Sequence, residues 1–235
     1  MIELTRVCKT YYRGDGTPVV AARDISIRIE RGEFVALRGP SGSGKSSLLN
    51  IIGCLDKATS GTYTLDGEDL SGFPDWQLSR IRSRAIGFVF QSFNLLPRTT
   101  ALENIELPMV YCDGRVDHRK AMAALDRVGL AERADHYGTE LSGGEQQRIA
   151  IARALINNPP IILADEPTGN LDSRAGTEIM EILQQLHEES RTIILVTHDD
   201  SIAGYAWREI VLKDGTVASD QIQQDHSMGI VGGKI

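Results

Sequence analysis

The chain has 235 residues, 41% of them hydrophobic, and a formal net charge of −7. That length buries one sizeable core and leaves little for a second, while the acidic balance is the wrong sign for a phosphate-backbone partner, so nucleic acid is not expected. Apolar runs such as residues 161–164 and 193–196 fall far short of the ~20 residues of a membrane-spanning helix, and Cys8, Cys54 and Cys112, odd in number and without a CxxC pair, suggest neither a disulfide framework nor a zinc site. The chain starts as antiparallel β: Ile25, Ile27 and Ile29 alternate with polar residues, Gly14-Asp15-Gly16 reads as a hairpin turn and Arg31-Gly32-Glu33 as another. Phe34–Arg38, residues 161–164 and Thr192–Val196 are short, nearly continuous apolar runs, the pattern of buried parallel strands. Helical patterns cover residues 45–54, 75–84, 116–128, 145–156 and 173–187, so the class is α/β. Residues 92–160 lack clear strands and read as a helical subdomain inserted in the α/β core, ended by Asn157-Asn158-Pro159-Pro160. Residues 1–220 form one domain on this reading, and 221–235 a polar, glycine-rich tail expected to be poorly ordered. The opening Met1-Ile2-Glu3-Leu4 carries no signal-peptide pattern, which makes the cytosol the default compartment.

Chemistry concentrates at the ends of the predicted parallel strands. Gly39-Pro40-Ser41-Gly42-Ser43-Gly44-Lys45-Ser46 fits GxxxxGK[ST] and lies between a strand and a helix, where backbone N–H groups can wrap phosphates. Lys45 is placed to reach the β/γ phosphates and the Ser46 hydroxyl to ligate Mg²⁺. The run Ile161-Ile162-Leu163-Ala164 ends in Asp165 and Glu166; a buried strand rarely finishes in two carboxylates without a cation or a reaction to serve. Asp165 suits Mg²⁺ and Glu166 suits a general base for attacking water.

Leu141-Ser142-Gly143-Gly144-Glu145 precedes a helix and offers a second anion site, unless Ser142 is a plain N-cap. Two anion sites for one nucleotide make sense when they grip the same γ-phosphate from different molecules, which implies a head-to-tail dimer. His198, in Thr197-His198-Asp199, and Gln91, after Ile86–Phe90, fall at the same sheet edge, where doubly wound proteins bind ligands; either is equally an ordinary structural residue. Tyr11 and Tyr12 are both candidates for stacking on an adenine ring.

Together these motifs resemble the ABC (ATP-binding cassette) ATPase family: Walker A at 39–46, Q-loop at Gln91, signature at 141–145, Walker B at 161–166, D-loop at Leu171-Asp172 and switch histidine at His198, each once and in family order. The resemblance implies a P-loop NTPase core of ABC type with an antiparallel β subdomain. It implies ATP contacts from Tyr11, favoured over Tyr12, from Gly39, Ser41, Gly42, Ser43, Gly44, Lys45, Ser46 and Ser47, and from Ser142, Gly143, Gly144, Glu145 and Asp172 of the signature and D-loop; Mg²⁺ would be held by Ser46, Gln91 and Asp165, and catalysis served by Glu166, His198 and Gln91.

Ile51-Ile52-Gly53-Cys54-Leu55-Asp56-Lys57 and Ala101-Leu102-Glu103-Asn104-Ile105 are similar to the macrolide-export, lipoprotein-release and cell-division ATPase group. In that group a homodimer lies peripherally on the cytoplasmic face of the inner membrane beneath an integral permease, which relays closure on ATP to periplasmic or extracellular parts such as an adaptor. The permease contact maps to Phe93, Leu95, Leu96 and Pro97, residues that equally suit packing within the helical subdomain. Glu145 departs from the glutamine that most often ends the signature in the wider ABC family; a carboxylate in a first helical turn suits the dipole but repels a γ-phosphate. The competing class is a soluble ABC ATPase with non-membrane partners, of the iron-sulfur assembly type. DNA-repair relatives would need long coiled-coil or zinc-bearing insertions, and translation factors two cassettes.

Overall fold

The computed structural model describes residues 1–223. Its strands are β1 (Ile2–Tyr12), β2 (Pro18–Ile29), β3 (Phe34–Arg38), β4 (Ser60–Leu65), β5 (Glu68–Asp69), β6 (Ile86–Phe90), β7 (Ile161–Asp165), β8 (Thr192–Val196), β9 (Arg208–Lys213) and β10 (Thr216–Ile222). The helices are α1 (Lys45–Ile52), α2 (Asp75–Ala85), α3 (Ala101–Asp113), α4 (His118–Arg127), α5 (Gly143–Leu155), α6 (Ser173–Glu188) and α7 (Asp200–Ala203). Two sheets result: an antiparallel one in the order β2-β1-β4-β5, and a six-stranded one in the order β10-β9-β3-β8-β7-β6. In the second, β3, β6, β7, β8 and β9 run parallel, and β10 pairs antiparallel to β9.

The continuous apolar runs are explained by burial on both faces. Val35 and Leu37 of β3 join one core cluster with Ile2, Ile25, Leu48 and Ile52, between the two sheets. Phe34 and Ala36 of the same strand join a second cluster with Ile179, Leu183 and Leu195, under α6. A strand whose alternate residues both meet protein has no face left for polar side chains. β7 divides likewise, with Ile161 and Leu163 in the first cluster and Ile162 and Ala164 in the second.

β6 and β7 are paired neighbours, and the chain between them is helical or irregular apart from one bridge, Thr100 to Tyr137. Those helices share a separate apolar cluster that includes Ile105, Leu125 and Ile149. The five predicted helices are present within a few residues of their expected ends, whereas α3 carries no strong periodic pattern and holds Pro108 inside it. Thr100 starts α3 with a capping box, its hydroxyl accepting from Glu103 N at 3.2 Å and its own N–H donating to Glu103 Oε2 at 2.8 Å. Such a box contributes about 1 kcal/mol, and the Thr-x-x-Glu spacing marks this start.

Two expectations need correction. Gly14-Asp15-Gly16 does connect the hairpin β1–β2, which closes at Tyr12 opposite Pro18. Arg31-Gly32-Glu33 is no hairpin: β2 and β3 belong to different sheets, and Gly32, at φ +74°, turns the chain from one layer into the other. The expected tail boundary at 221 is too early, because Gln221 and Ile222 pair with Glu209 and Arg208 as the end of β10. Residues 224–235 lie outside the described residues.

Candidate active site

The carboxyl ends of β3, β7 and β8 open on a cleft of about 860 Å³, bordered also by the edge of the antiparallel sheet. Its walls include Tyr11, Ser41, Gly42, Gly44, Lys45, Ser46, Ser47, Gln91, Asp165, Glu166 and His198. Gly39 and Ser43 shape the loop from within. The Ser43 hydroxyl is buried without a hydrogen-bond partner among the described residues.

The loop must be glycine-rich because it is wedged between the two sheets. Gly44 sits at φ +103°, where a Cβ would stand 2.2 Å from the Ala21 carbonyl oxygen of β2; Gly39, at φ +142°, would put one 2.1 Å from the Leu212 carbonyl of β9. The turn after β9 completes the seam: Gly215 N donates to Ser43 O at 3.1 Å and Arg23 N to Gly215 O at 2.7 Å. Gly44→Ala therefore combines left-handed strain with a backbone clash. It is expected to destabilise the fold by about 3 kcal/mol or more, lowering the melting temperature by roughly 10 °C, as differential scanning fluorimetry would show.

Lys45 opens α1 with its ammonium folded back on the loop, donating to Gly39 O at 2.7 Å and Pro40 O at 2.9 Å. Opposite, Glu166 adopts φ +46° just beyond β7, held by its N–H donating to Val196 O at 2.9 Å. A left-handed glutamate costs on the order of 1–3 kcal/mol and is found where the surroundings over-determine it. The turn carries its carboxylate across to β8: His198 Nδ1 donates to Oε1 at 2.7 Å and the Thr197 hydroxyl to Oε2 at 3.3 Å. Burial, followed by the neighbouring Glu166 charge, pushes the Asp165 carboxyl above its ordinary range, and Lys45 opposes the shift.

Gln91 sits in a reciprocal pair. Its Nε2 donates to Asn170 Oδ1 at 3.2 Å, and Asn170 Nδ2 donates to Gln91 O at 3.0 Å. Gly169 makes room for this, since a Cβ there would lie 2.7 Å from the Gln91 amide. Gln147 of α5, fully buried, ties the same corner together by donating to Phe90 O at 3.3 Å and Pro167 O at 2.7 Å. Thr197, Asn170 and Gln147 were not singled out as site residues from sequence. Their partners lie on other elements, so no local spacing marks them.

Of the two tyrosines, the structure brings Tyr11 to the cleft; Tyr12 is 71% exposed and does not line it. Ser142, Gly143, Gly144, Glu145 and Asp172 do not line it either. Ser142 is the N-cap of α5 in a full capping box: its hydroxyl and its N–H both donate to Glu145 Oε2 at 2.8 Å. Those bonds, then Arg133 and Arg148, hold the Glu145 carboxyl below its usual range. The unusual glutamate thus engages the signature hydroxyl within its own chain. Asp172 caps α6, accepting from Ala175 N at 2.8 Å.

A glycine loop feeding a helix N-terminus, beside two strand-end carboxylates, defines a P-loop nucleoside triphosphatase. The chain belongs to the ABC transporter family, whose model matches residues 22–169. It is 51% identical over 221 residues to a macrolide export ATP-binding/permease protein, MacB, of Bdellovibrio bacteriovorus, covering 94% of this chain and 34% of that protein. It is 48% identical over 224 residues to the ABC transporter ATP-binding protein YvrO of Bacillus subtilis, covering 94% of this chain and 97% of that one. A solved cassette, MJ0796, described as a dimeric post-hydrolysis state bound to ADP and Pi, superposes with a TM-score of 0.87 at 47% identity, over 94% of this chain and 98% of that one. The chain spans about a third of the MacB proteins it matches.

The chain is accordingly an ATPase that uses ATP with Mg²⁺. The residues present fit that ion. The Ser46 hydroxyl, Asp165 carboxylate and Gln91 amide oxygen on the cleft walls are hard oxygen donors, and among the described residues no cluster of three His, Cys, Asp or Glu forms an all-protein cage. Magnesium is commonly held in this way, by one or two side chains plus water and phosphate oxygens. When bound it neutralises charge on the β and γ phosphates. Among the described residues no helix is long and apolar enough to cross a membrane.

Proposed function

We propose that this chain powers a membrane permease of the macrolide-export or lipoprotein-release type, two copies closing head to tail around two MgATP. In this reading residues 1–220 act as one nucleotide-binding domain whose helical part, about 92–160, carries the signature. The observation that carries it is the split between the two anion sites. The cleft gathers the phosphate loop, Asp165, Glu166, Gln91 and His198, yet Ser142 at the start of α5 is not among its walls. A second chain, turned to face the first, supplies that serine to the γ-phosphate. The dimeric solved relative supports the arrangement.

Within each site Lys45 and the loop N–H groups hold phosphate, Ser46, Gln91 and Asp165 hold the ion, Glu166 accepts the proton of attacking water and His198 contacts the γ-phosphate. Gln91 keeps its Nε2 bond to Asn170 while its Oε1 is offered to the ion, whereas Ser142 must exchange its hydroxyl contact with Glu145 for phosphate, so closure remakes a hydrogen bond already formed in each chain.

The permease contact falls where the Q-loop meets the helical part. Leu95 is partly buried against the helical cluster, whereas Leu96 and Pro97 are exposed. Beside them is an apolar groove of about 530 Å³ whose walls include Leu55, Phe88, Phe90, Asn94 and Tyr111. The fused ATP-binding/permease relatives support a membrane partner, and with it a peripheral position at the cytoplasmic face of the inner membrane and an adaptor reached through the permease.

Light scattering on the Glu166→Gln protein, with and without MgATP, tests the dimer. A monomer that doubles its mass only with MgATP is expected. A protein that binds ATP and stays monomeric would remove the trans role of Ser142 from the isolated chain.

A further inference from the structure

Tyr11 is not a free ring at the cleft wall. Its hydroxyl donates to Asp56 Oδ2 at 2.8 Å. Asp56 is itself fixed, its Oδ1 accepting from Lys9 Nζ at 2.6 Å and from Lys57 N at 2.7 Å. Lys9, only 9% exposed, adds a bond to Lys57 O at 2.8 Å and sets its ammonium 4.7 Å from the centroid of the Tyr11 ring. Tyr11 lines the cleft and Lys9 does not, so the cation backs the ring on the side away from the nucleotide.

A buried lysine is costly unless it is paired; this one, on β1, is paired to Asp56 and Lys57 in the segment after α1, and the same carboxylate holds the Tyr11 hydroxyl. The arrangement has two physical effects. Tethering the hydroxyl removes rotamer freedom that a ligand would otherwise have to quench on binding. The ammonium behind the ring draws π density away from the exposed face, which favours stacking on an electron-rich purine.

We propose that Lys9 and Asp56 are positioning residues for the base of ATP, acting through Tyr11. The proposal rests on reading Tyr11 as the base-stacking face. Neither residue touches the nucleotide; both set where and how firmly the ring stands.

The test separates the base from the phosphates. Binding of ATP and of ribose 5-triphosphate, which has no base, is measured in Mg²⁺ by competition against a fluorescent nucleotide for wild type, Tyr11→Phe, Asp56→Asn and Tyr11→Ala. Tyr11→Phe and Asp56→Asn are expected to weaken ATP by roughly 3–10-fold and leave ribose 5-triphosphate unchanged, with KM for hydrolysis rising and kcat held. A merely structural role would weaken both ligands together, and that result overturns the proposal. If Tyr11→Ala loses ATP selectively while Tyr11→Phe and Asp56→Asn match wild type, the tether fails and the stacking reading stands. If Tyr11→Ala binds both ligands as wild type does, the stacking reading and the proposal fall together.

Discussion

Glu166→Gln is expected to lower ATP turnover by ~10²–10⁴-fold, the usual cost of removing a positioned general base, while ATP binding is retained. The substitution keeps the size of the side chain and one acceptor oxygen, which can serve His198 Nδ1, while the new NH2 can donate to the Thr197 hydroxyl; the charge and the ability to take a proton from water are removed. The backbone stays in its left-handed turn because Val196 O still accepts the N–H of residue 166. Steady-state phosphate release, read beside nucleotide binding, separates the outcomes: weak turnover with intact binding supports the base, and turnover at the wild-type rate removes Glu166 from that role.

Lys45→Ala is expected to erase the stabilisation that MgATP confers. For a wild-type protein at a hundred times Kd, that stabilisation is about 2.7 kcal/mol, which at this chain length is a rise of roughly 5–10 °C in melting temperature. The variant also loses two hydrogen bonds to the carbonyls of Gly39 and Pro40 and so melts somewhat lower without ligand. The informative quantity is therefore the ligand-induced shift within each protein. A shift equal to that of wild type would refute the assignment of the phosphate loop.

The residues that mark the family were legible because each combines a local spacing with a local structural reason. Gly39 to Ser46 needs consecutive N–H groups at a helix start, and Asp165 and Glu166 need a buried strand to end under them; neither pattern depends on knowing what lies across the cleft. The supporting residues were hidden for the opposite reason. Asp56 matters because β1 passes beside it, Asn170 because Gln91 reaches it, and Thr197 because Glu166 turns back over β8. Secondary structure divides in the same way. α3 has Pro108 within it and no strong apolar stripe, so its clearest mark is the Thr100–Glu103 box. The β9–β10 hairpin carried an Asp214-Gly215 turn signal that composition alone makes easy to pass over.

The seam at the phosphate loop has a thermodynamic consequence. Gly39 abuts β9, Gly44 abuts β2, and the turn at Gly215 bonds both to the loop and to Arg23. The two sheets therefore cannot open independently of the segment that grips phosphate. The amide hydrogens of Gly215 and Arg23, which bond across the seam, should exchange only when the layers separate, not through local fraying, whereas the exposed N–H groups of Ser41 and Gly42 are left for phosphate. Ligand binding then stabilises both sheets as one cooperative unit, and a solvent or sequence change that loosens either layer is felt as lost affinity.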